Sequence, residues 1–470
     1  MNDEEELFAE RNEFNFESKL IRNDNKNIYN RLCSIVDDAT FVMKIADIMP
    51  DLALIANERC GSWYIDRTKK KAYSAYFKST DGHMHIWDFN IRRNNLHLIP
   101  ILMSHNGCLI VDSTRKGKRI PDALSKTIPI WCCTVNRAVA KYAGYNSDWD
   151  LELHTLPSAV SRSEHAQIEA RLNGFVDKLL TSGVDMEHLK NQLLKPLRPI
   201  WFTPQSYDAL VESPPDFQDA SFCPVVCLSA SEAVETGYQL RPGYLYVQGS
   251  ADDEEAWAFG LTHLAFWKHR HDILTNSIEC ERNVKSIVTL LKNSKNDDDD
   301  ADNYGGTTNH FAFIKSTLLA IGDCFSGKPP SCWNTFDYVI NCCQDEYELN
   351  QQHKNYLHLP IPDGKKGQII FGSSIQKAID FVHDPIIENK KILIYCKDYS
   401  VGILLSILIQ YYTLEFELNT TDKPRVDKKM IQHQLVQIIS NWEKAAPSRV
   451  TLKRINTHFM SHSSHDNTAK

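Results

Sequence analysis

Cys396 stands where a cysteine could take part in anion binding or thiol chemistry, between two apolar segments. The run Ile392–Tyr395 has the length and composition of a buried strand, and the segment from Val401 onward predicts a buried helix. The first N–H groups of a helix have no partner within it, so a helix start attracts anions and lowers a thiol pKa. We predict an anion-binding loop made of Cys396, Lys397, Asp398, Tyr399, Ser400, Val401 and Gly402. A buried structural cysteine is the alternative for Cys396 itself.

A second loop with phosphate-binding composition follows the apolar run Cys108–Asp112. It combines two hydroxyls, a glycine and four basic side chains directly after a predicted strand. Its residues are Ser113, Thr114, Arg115, Lys116, Gly117, Lys118 and Arg119. Pro121 closes the loop, and we expect Asp122 to cap the following turn. The pattern is neither a Walker loop nor a dinucleotide-binding fingerprint.

Three carboxylates, Asp252, Asp253 and Glu255, follow a glycine turn after another predicted strand at 243–247. Adjacent carboxylates in such a turn could hold Mg²⁺ through water molecules. The same residues could instead complement the dipole of a following helix, and spacing alone favours that simpler role.

The elements that would position these loops alternate between helices and strands. Helical periodicity predicts helices over 14–37 and 164–194 and one that begins at Asp427, and a second apolar stretch over 42–54 is broken at Pro50. Short apolar runs predict strands at 225–228, 243–247, 317–321 and 338–340, and residues 73–83 predict a strand that runs into an Asp-Gly turn. The predicted fold class is α/β, a mixed α/β first domain and a second α/β domain with a central sheet flanked by helices.

An acidic, low-complexity stretch over 291–306 marks the clearest domain boundary. We predict a first domain over 1–292 with the basic face and the donor and metal loops. An acidic linker over 293–308, a second domain over 309–462 with the Cys396 loop, and a disordered tail over 463–470 would follow.

Composition narrows the class of protein. The 470 residues contain 42% hydrophobic residues, as in ordinary globular chains. No run reaches the roughly 18 apolar residues that span a bilayer, so we expect no membrane partner. The acidic first residues predict neither a signal nor a transit peptide. Thirteen cysteines without a CxxC pair favour reduced thiols and a cytosolic or nuclear protein.

Charge is unevenly distributed along the chain. Residues 59–126 contain 13 Lys or Arg and 5 Asp or Glu, a balance of +8, so the remainder carries −16 of the total −8. This asymmetry predicts one face for a polyanion. A solvated surface with scattered lysines is the alternative.

The second domain resembles the dual-specificity phosphatases in the order of its parts. A loop with Asp363, an amphipathic helix through Ile375 and Val382, and the strand, cysteine, loop and helix around Cys396 follow one another as in that family. The phosphatase loop ends in an arginine that grips phosphate through two hydrogen bonds. Here Gly402 occupies that position and residues 397–401 include no arginine. The resemblance implies a site that retains the shape for phosphate without efficient phosphatase chemistry.

Longer stretches resemble one family, the initiator tRNA phosphoribosyltransferases of fungi and plants. They are NERCGSWY at 57–64, YFKSTDGH at 76–83, DSTRKGKR at 112–119, PDALSKTIPIW at 121–131, Gln248-Gly249 with Asp252, Asp253, Glu255, Trp257, Gly260 and Leu261, Ser400-Val401-Gly402, and Pro447-Ser448-Arg449 followed by Leu452. They run from about residue 55 to the C-terminus.

This resemblance implies transfer of a 5-phosphoribosyl group from phosphoribosyl pyrophosphate to the 2′-hydroxyl of adenosine 64, in the T-stem of initiator methionine tRNA. That modification would exclude the tRNA from elongation, and the enzyme would be a cytoplasmic pentosyltransferase that uses Mg²⁺. Asp363, Cys396 and Ser400 would be the catalytic positions, with Asp363 as the base and Cys396 not a nucleophile. The Cys396–Gly402 loop would bind the 5′-phosphate or the pyrophosphate of the donor, and the Arg115–Arg119 loop would bind the other anion or the tRNA backbone. The contacts to tRNA would come from Arg59, Lys78, Lys126 and Arg449.

Two other functions compete with the transferase. One is an active phosphatase, against which the loop without arginine argues. The other is a non-catalytic RNA-binding protein on an inactive phosphatase fold, for which the second anion loop and the acidic cluster at 252–255 would be superfluous.

Overall fold

The computed structural model describes residues 27–144, 149–293, 310–314, 316–362, 364–396, 399–414, 416–419, 426–442 and 444–460. These residues fall into two structural units. The first takes the described residues within Met1–Phe89, Leu98–Val176 and Glu187–Gly306, and the second takes those within Asn90–His97, Asp177–Met186 and Thr307–Lys470. Apart from residue 293, the linker predicted at 293–308 lies outside the described residues, as does the predicted tail.

The first unit contains a sheet of five parallel strands in the order β2-β1-β3-β5-β4. The strands are β1 (Ala53–Asn57), β2 (Tyr73–Ala75), β3 (Cys108–Asp112), β4 (Leu197–Phe202) and β5 (Cys223–Ser229). Every residue of β1, β3 and β5 is buried, which explains their nearly continuous apolar sequences. A separate antiparallel hairpin pairs β6 (Tyr238–Arg241) with β7 (Tyr244–Val247).

Eight described helices accompany these strands. They are α1 (Ile28–Ile48), α2 (Leu98–Ser104), α3 (Ile128–Ala143), α4 (Arg162–Leu180), α5 (Met186–Gln192), α6 (Tyr207–Glu212), α7 (His263–Ile273) and α8 (Cys280–Asn293). Asn27 caps α1 by accepting a hydrogen bond from the N–H of Tyr29, and the helix ends just before Pro50. The buried face of α1 joins the core formed with β1, β3 and β5.

Several predicted bounds in this unit are wrong. The helix predicted over 14–37 begins at Ile28 within the described residues and continues through most of the second apolar stretch. The helix predicted over 164–194 is two helices, α4 and α5. The strand predicted to start at Tyr73 is short and ends at Ala75, after which the side chain of Asn57 pairs with the backbone of Phe77. The predicted Asp-Gly turn is present as a 3₁₀ turn over Ser79–Gly82.

The second unit contains a sheet in the order β11-β10-β12-β9-β8, in which only β8 is antiparallel to its neighbour. The strands are β8 (Phe311–Phe313), β9 (Leu319–Gly322), β10 (Tyr338–Asn341), β11 (Tyr356–His358) and β12 (Ile392–Tyr395). The helices are α9 (Ser331–Thr335), α10 (Glu348–Gln351), α11 (Gly364–Ile387), α12 (Ser400–Tyr411), α13 (Lys428–Asn441) and α14 (Arg449–Met460). Asp427 caps α13 through the N–H of Met430, as the sequence predicts.

The fold class is confirmed as α/β in both units. The strand, cysteine, loop and helix predicted around Cys396 are also confirmed, because β12 ends at Tyr395 and α12 begins at Ser400. Within the described residues, no helix combines the length and the hydrophobicity needed to cross a bilayer.

Candidate functional site

The carboxyl ends of β1, β3 and β5 lie side by side because the three strands are parallel neighbours. The order of the strands reverses at β1 and β3, since β1 leads to β2 on one side and the later strands lie on the other. Ligands of open α/β sheets bind outside the carboxyl ends of the strands at such a reversal. The loop predicted after β3 begins there.

Arg59, two residues after β1, is the centre of the charged group at this edge. Its guanidinium donates to Asp112 Oδ1 at 3.1 Å, to Asp252 Oδ1 and to the carbonyl of Ser113. Burial disfavours the charge on Arg59, but the carboxylates of Asp112 and Asp252 outweigh it and raise the pKa of the guanidinium. Arg59 is therefore a fixed cation that joins three segments of the chain.

Asp112 is fully buried and its carboxylate is saturated with donors. Besides Arg59, it accepts from Asn57 Nδ2 at 2.8 Å, from Cys60 Sγ at 3.0 Å and from the N–H of Ser113 at 2.8 Å. Burial, and next the negative charge of Asp112, raise the pKa of Cys60 well above its usual value. Cys60 therefore stays a thiol and acts as a hydrogen-bond donor, so it is not a nucleophile.

Asp252 brings the turn after β7 to the loop after β3. Its Oδ2 accepts from Arg115 Nε at 3.0 Å, while Arg115 Nη2 pairs with Asp253 Oδ2 at 2.8 Å. Arg31, on α1, reaches the same turn and donates to the carbonyl of Ser250 at 2.6 Å. Burial, with the nearby charge of Arg115, lowers the pKa of Arg31. Three guanidinium groups thus surround this turn.

The loop that carries Arg115 is held by a side-chain amide. Gln248 Nε2 donates to the carbonyls of Thr114 and Arg115, at 3.2 Å each, and to the carbonyl of Lys118 at 2.8 Å. Gly249 has φ +67°, and a Cβ there would lie 2.7 Å from the carbonyl oxygen of Thr114. Only glycine allows this close approach of the two backbones.

The tip of the loop is exposed, from Arg115 to Arg119. Gly117, with φ +92°, has open space around it. Ser113 differs from the other predicted phosphate-binding residues, because it is fully buried and its hydroxyl donates to Ser231 Oγ at 2.6 Å. Ser113 therefore offers no hydroxyl at the surface in this conformation, and Arg115, Lys116 and Arg119 are the side chains that the tip presents.

A buried chain of hydroxyls extends from Ser113 into the first unit. Ser231 donates to Asp38 Oδ2, and Tyr246 donates to Asp38 Oδ1 at 2.8 Å. Burial raises the pKa of Asp38 to about 8, although these two hydrogen bonds oppose the shift. The carboxyl of Asp38 is therefore mostly neutral at pH 7.

Asp122 does not cap the turn after Pro121, so that prediction is wrong. Its carboxylate instead pairs with Lys118 and, at 2.9 Å, with Lys126. Lys126 is only 8% exposed and also pairs with Glu164 at 3.0 Å. Burial opposes the charge of Lys126, but these carboxylates raise its pKa. The cations of 59–126 are thus partly neutralised by acids.

The predicted residues come together only in part. Arg59, the 113–119 loop, Asp252 and Asp253 converge. Glu255 is exposed, and the carbonyl of Lys78 accepts from Thr127 Oγ1 at 2.9 Å. Asn57, Gln248 and Arg31 were missed as contributors. Asn57 and Gln248 lie in the stretches that carry the family resemblance, whereas Arg31 lies outside them.

The carboxylates do not form a magnesium site of their own. Asp252 is paired with two arginines and Asp253 with one, and no cluster of three His, Cys, Asp or Glu suited to a metal occurs among the described residues. A direct Mg²⁺ ligand would have to displace these guanidinium groups. The Mg²⁺ expectation stays a prediction.

The second predicted site lies in the second unit at the start of α12. Cys396 Sγ donates to the carbonyl of Cys342 at 3.4 Å, and the hydroxyl of the buried Ser400 donates to the carbonyl of Cys396 at 3.1 Å. Tyr399, Val401 and Gly402 are buried. Asp363, Lys397 and Asp398 lie outside the described residues, so the predicted base is not placed.

Gly402 is required by packing. A Cβ there would lie 2.6 Å from Phe371 and 2.8 Å from Thr451. Gly402 thus lets α12 lie close to α11 and α14, at the position where the phosphatases carry their arginine.

Comparison with known proteins gives family matches over both units. The family model described as the Rit1 N-terminal domain matches residues 21–289, and the model described as the Rit1 DUSP-like domain matches residues 355–459. An uncharacterized protein of Schizosaccharomyces pombe is 37% identical over 445 residues, which cover 92% of this chain and 94% of that protein. The tRNA A64-2′-O-ribosylphosphate transferase of Saccharomyces cerevisiae is 32% identical over 489 residues, and the match covers 94% of each chain.

Solved structures resemble about a third of the chain. A mouse putative dual specificity phosphatase complexed with zinc tungstate is 12% identical, and the match covers 32% of this chain and 87% of the phosphatase chain. Human DUSP28 is 10% identical, and the match covers 33% of this chain and 96% of the DUSP28 chain. Both have a TM-score of 0.25, which carries no inference about activity.

Proposed function

The chain belongs to the Rit1 family, and we propose that it transfers a 5-phosphoribosyl group from phosphoribosyl pyrophosphate to the 2′-hydroxyl of adenosine 64 in initiator methionine tRNA. The enzyme is a pentosyltransferase. The observation that carries the proposal is the 32% identity to the tRNA A64-2′-O-ribosylphosphate transferase of S. cerevisiae over 94% of both chains. The reaction would take place in the cytoplasm and would exclude the tRNA from elongation.

The loop after β3 is suited to one anionic group of the donor or the tRNA. Arg115 is 60% exposed, and Asp252 and Asp253 hold its guanidinium in place. Lys116 and Arg119 add cations at the same tip. Because Gln248 fixes three carbonyls of the loop, these charges need little rearrangement to meet a pyrophosphate, whose leaving charge they would stabilise.

The start of α12 supplies a second anion site with main-chain N–H groups. It needs no arginine to bind a phosphate, because the N–H groups of the first helical turn point at the ligand. Phosphoryl transfer, unlike phosphate binding, depends on the phosphatase arginine, which stabilises the transition state. Gly402 stands at the position of that arginine in this chain. These features support phosphate binding without phosphatase activity.

The acceptor would be approached through the minor groove of the T-stem. Double-stranded RNA displays its 2′-hydroxyls in that wide, shallow groove, so shape and phosphate contacts dominate recognition. A carboxylate near the hydroxyl would take its proton as the new bond forms, and we assign that role to Asp363. No covalent intermediate on Cys396 is needed, because the pyrophosphate leaves from carbon.

The test is an incubation of the purified protein with phosphoribosyl pyrophosphate labelled in the ribose and total tRNA. We expect the label to enter one tRNA species, initiator methionine tRNA. An initiator tRNA with 2′-deoxyadenosine at position 64 should not be labelled. A chromogenic phosphate ester serves as the parallel substrate. Its turnover without any transfer to tRNA would establish the phosphatase function instead.

A further inference from the structure

A group of five exposed cations lies on two adjacent helices of the second unit. They are Lys365 and Lys366, in the first turn of α11, and Arg449, Lys453 and Arg454, on α14. We call this group the α11–α14 basic surface. Stretches 364–379 and 449–460 contain no Asp or Glu at all.

These cations are not neutralised by described neighbours, unlike several cations of the first unit. No ion pair or hydrogen bond joins any of the five side chains to another described residue. In the first unit, by contrast, the charges of Arg59, Lys118 and Lys126 meet carboxylates. The exposed cations of α11 and α14 thus form a group without a described carboxylate partner.

The two helices run parallel, with their starts at the same end. Gln368 Nε2 donates to Thr451 Oγ1 at 3.3 Å, and one turn further along a Cβ at Gly372 would lie 3.7 Å from Arg454 Cδ. The first turns of α11 and α14, which carry Lys365 and Arg449, therefore lie at the same end of the helix pair.

The start of α12 joins this end. A Cβ at Gly402 would meet both Phe371 of α11 and Thr451 of α14, and a Cβ at Gly367 would meet the hydroxyl of Tyr399. Three helix starts thus face the same direction, and their dipoles add to the charges of Lys365, Lys366 and Arg449. Lys453 and Arg454 continue the charge along α14, away from the helix starts.

We propose that the α11–α14 basic surface binds the sugar-phosphate backbone of the RNA acceptor. This inference rests on the proposed function, which supplies a tRNA substrate. A row of exposed cations, with Arg449 and Lys453 one turn apart on one helix face, suits successive phosphates of a strand better than one small anion. Several cations of residues 59–126 are by contrast paired with carboxylates, which reduces the charge that this segment offers to a polyanion.

The test compares the full chain with the triple variant Arg449→Gln, Lys453→Gln, Arg454→Gln. The matched control is Lys190→Gln, Lys285→Gln, Lys354→Gln, which removes the same charge from exposed lysines outside α11 and α14. Binding to tRNA is measured by filter retention between 50 and 200 mM KCl (about the range over which such salt slopes are read). All side chains changed are exposed, and circular dichroism checks the fold.

We expect the triple variant to bind tRNA at least about tenfold more weakly, with a slope of log affinity against log salt that is shallower by about two units. The control should keep the wild-type affinity and slope. Affinity for phosphoribosyl pyrophosphate alone, measured by calorimetry, should be unchanged in both.

Wild-type tRNA affinity and slope in the triple variant would overturn the proposal. A loss of donor affinity with tRNA binding intact would also overturn it and make the surface a small-anion site. Binding of the wild type to phosphatidylserine vesicles in preference to tRNA would assign the surface to a membrane. Failure of the proposed function gives a different result from failure of this inference. If the proposed function failed, the wild type would label no tRNA, but the triple variant would still bind tRNA more weakly than the wild type.

Discussion

Arg59 and Asp252 share a charge-assisted hydrogen bond although 193 residues separate them in the sequence. Arg59 is at the same time bound to the buried Asp112, so one guanidinium ties the end of β1 to the end of β3 and to the turn after β7. The edge of the first sheet is thus a charged network, and its members should be coupled energetically.

Arg59→Gln should therefore destabilise the protein by about 3 to 5 kcal/mol, because it leaves the buried carboxylate of Asp112 without its cation. Urea denaturation measures this change. The double variant Arg59→Gln, Asp112→Asn removes both charges and should recover much of the lost stability. If the double variant loses as much stability as the two single variants together, the two residues are not coupled.

Arg115→Gln should lower transfer to tRNA at least about tenfold while leaving the melting temperature nearly unchanged, since the side chain is 60% exposed. Steady-state kinetics with varied donor would show a raised KM for phosphoribosyl pyrophosphate. Lys69→Gln is the control, because Lys69 is 59% exposed and lies outside the loop. Normal kinetics in the Arg115 variant would remove this loop from the donor site.

Asp38 should make stability fall as pH rises. Its pKa is about 8 in the folded protein and near 3.8 when unfolded, so the folded state holds the extra proton between these values. The contribution is full below about pH 4 and is lost towards pH 8, with a slope of at most about 1.4 kcal/mol per pH unit.

Asp38→Asn mimics the protonated carboxyl and should flatten the stability profile between pH 5 and pH 8. Urea titrations at each pH compare the two proteins. Asp150 offers a contrast, because hydrogen bonds from Arg198 overcome its burial and lower its pKa. An identical pH profile in wild type and Asp38→Asn would mean that Asp38 is ionised in the folded protein.

Cys396→Ser should retain most of the transferase activity, since the main-chain N–H groups at the start of α12 survive the change. Gly402→Ala should cost about 1 to 3 kcal/mol of stability, because the new Cβ would overlap Phe371 and Thr451. Activity and thermal melting separate the two effects. Abolished transfer in a folded Cys396→Ser protein would require thiolate chemistry.

Asp253→Ala should raise the Mg²⁺ concentration needed for half-maximal transfer if the metal arrives on the donor pyrophosphate beside Arg115. The carboxylate is exposed and pairs with Arg115 Nη2, so its loss should not unfold the protein. Transfer is measured across a Mg²⁺ titration. An unchanged titration curve would leave Asp253 with a role only in holding Arg115.

Local patterns allowed the strand, loop and helix around Cys396 and the cap at Asp427 to be predicted, because each depends on neighbouring residues. The network at the first sheet could not be predicted, since its pairs join residues far apart. Arg59 and Lys126 carry ordinary positive charges in the sequence, and only the fold brings Asp112 and Glu164 to them.

Side chains without charge were harder still. Asn57 and Gln248 each form several hydrogen bonds at the site, yet an amide beside an apolar run does not distinguish itself from a surface residue. The burial of Ser113 depends on Ser231, which comes 118 residues later. Its hydroxyl consequently appeared available for phosphate.

The hydrogen bonds that Gln248 and Asp252 form with the loop after β3 also determine when this loop can be fixed during translation. Gln248 and Asp252 are made 134 and 137 residues after the loop residues that they hold. At about 5 to 20 residues per second, the ribosome needs roughly 7 to 27 s for that stretch. A nascent chain can complete β1 and β3 earlier but cannot fix Arg115. The charged network around this loop is therefore formed late, after Asp252 has been translated.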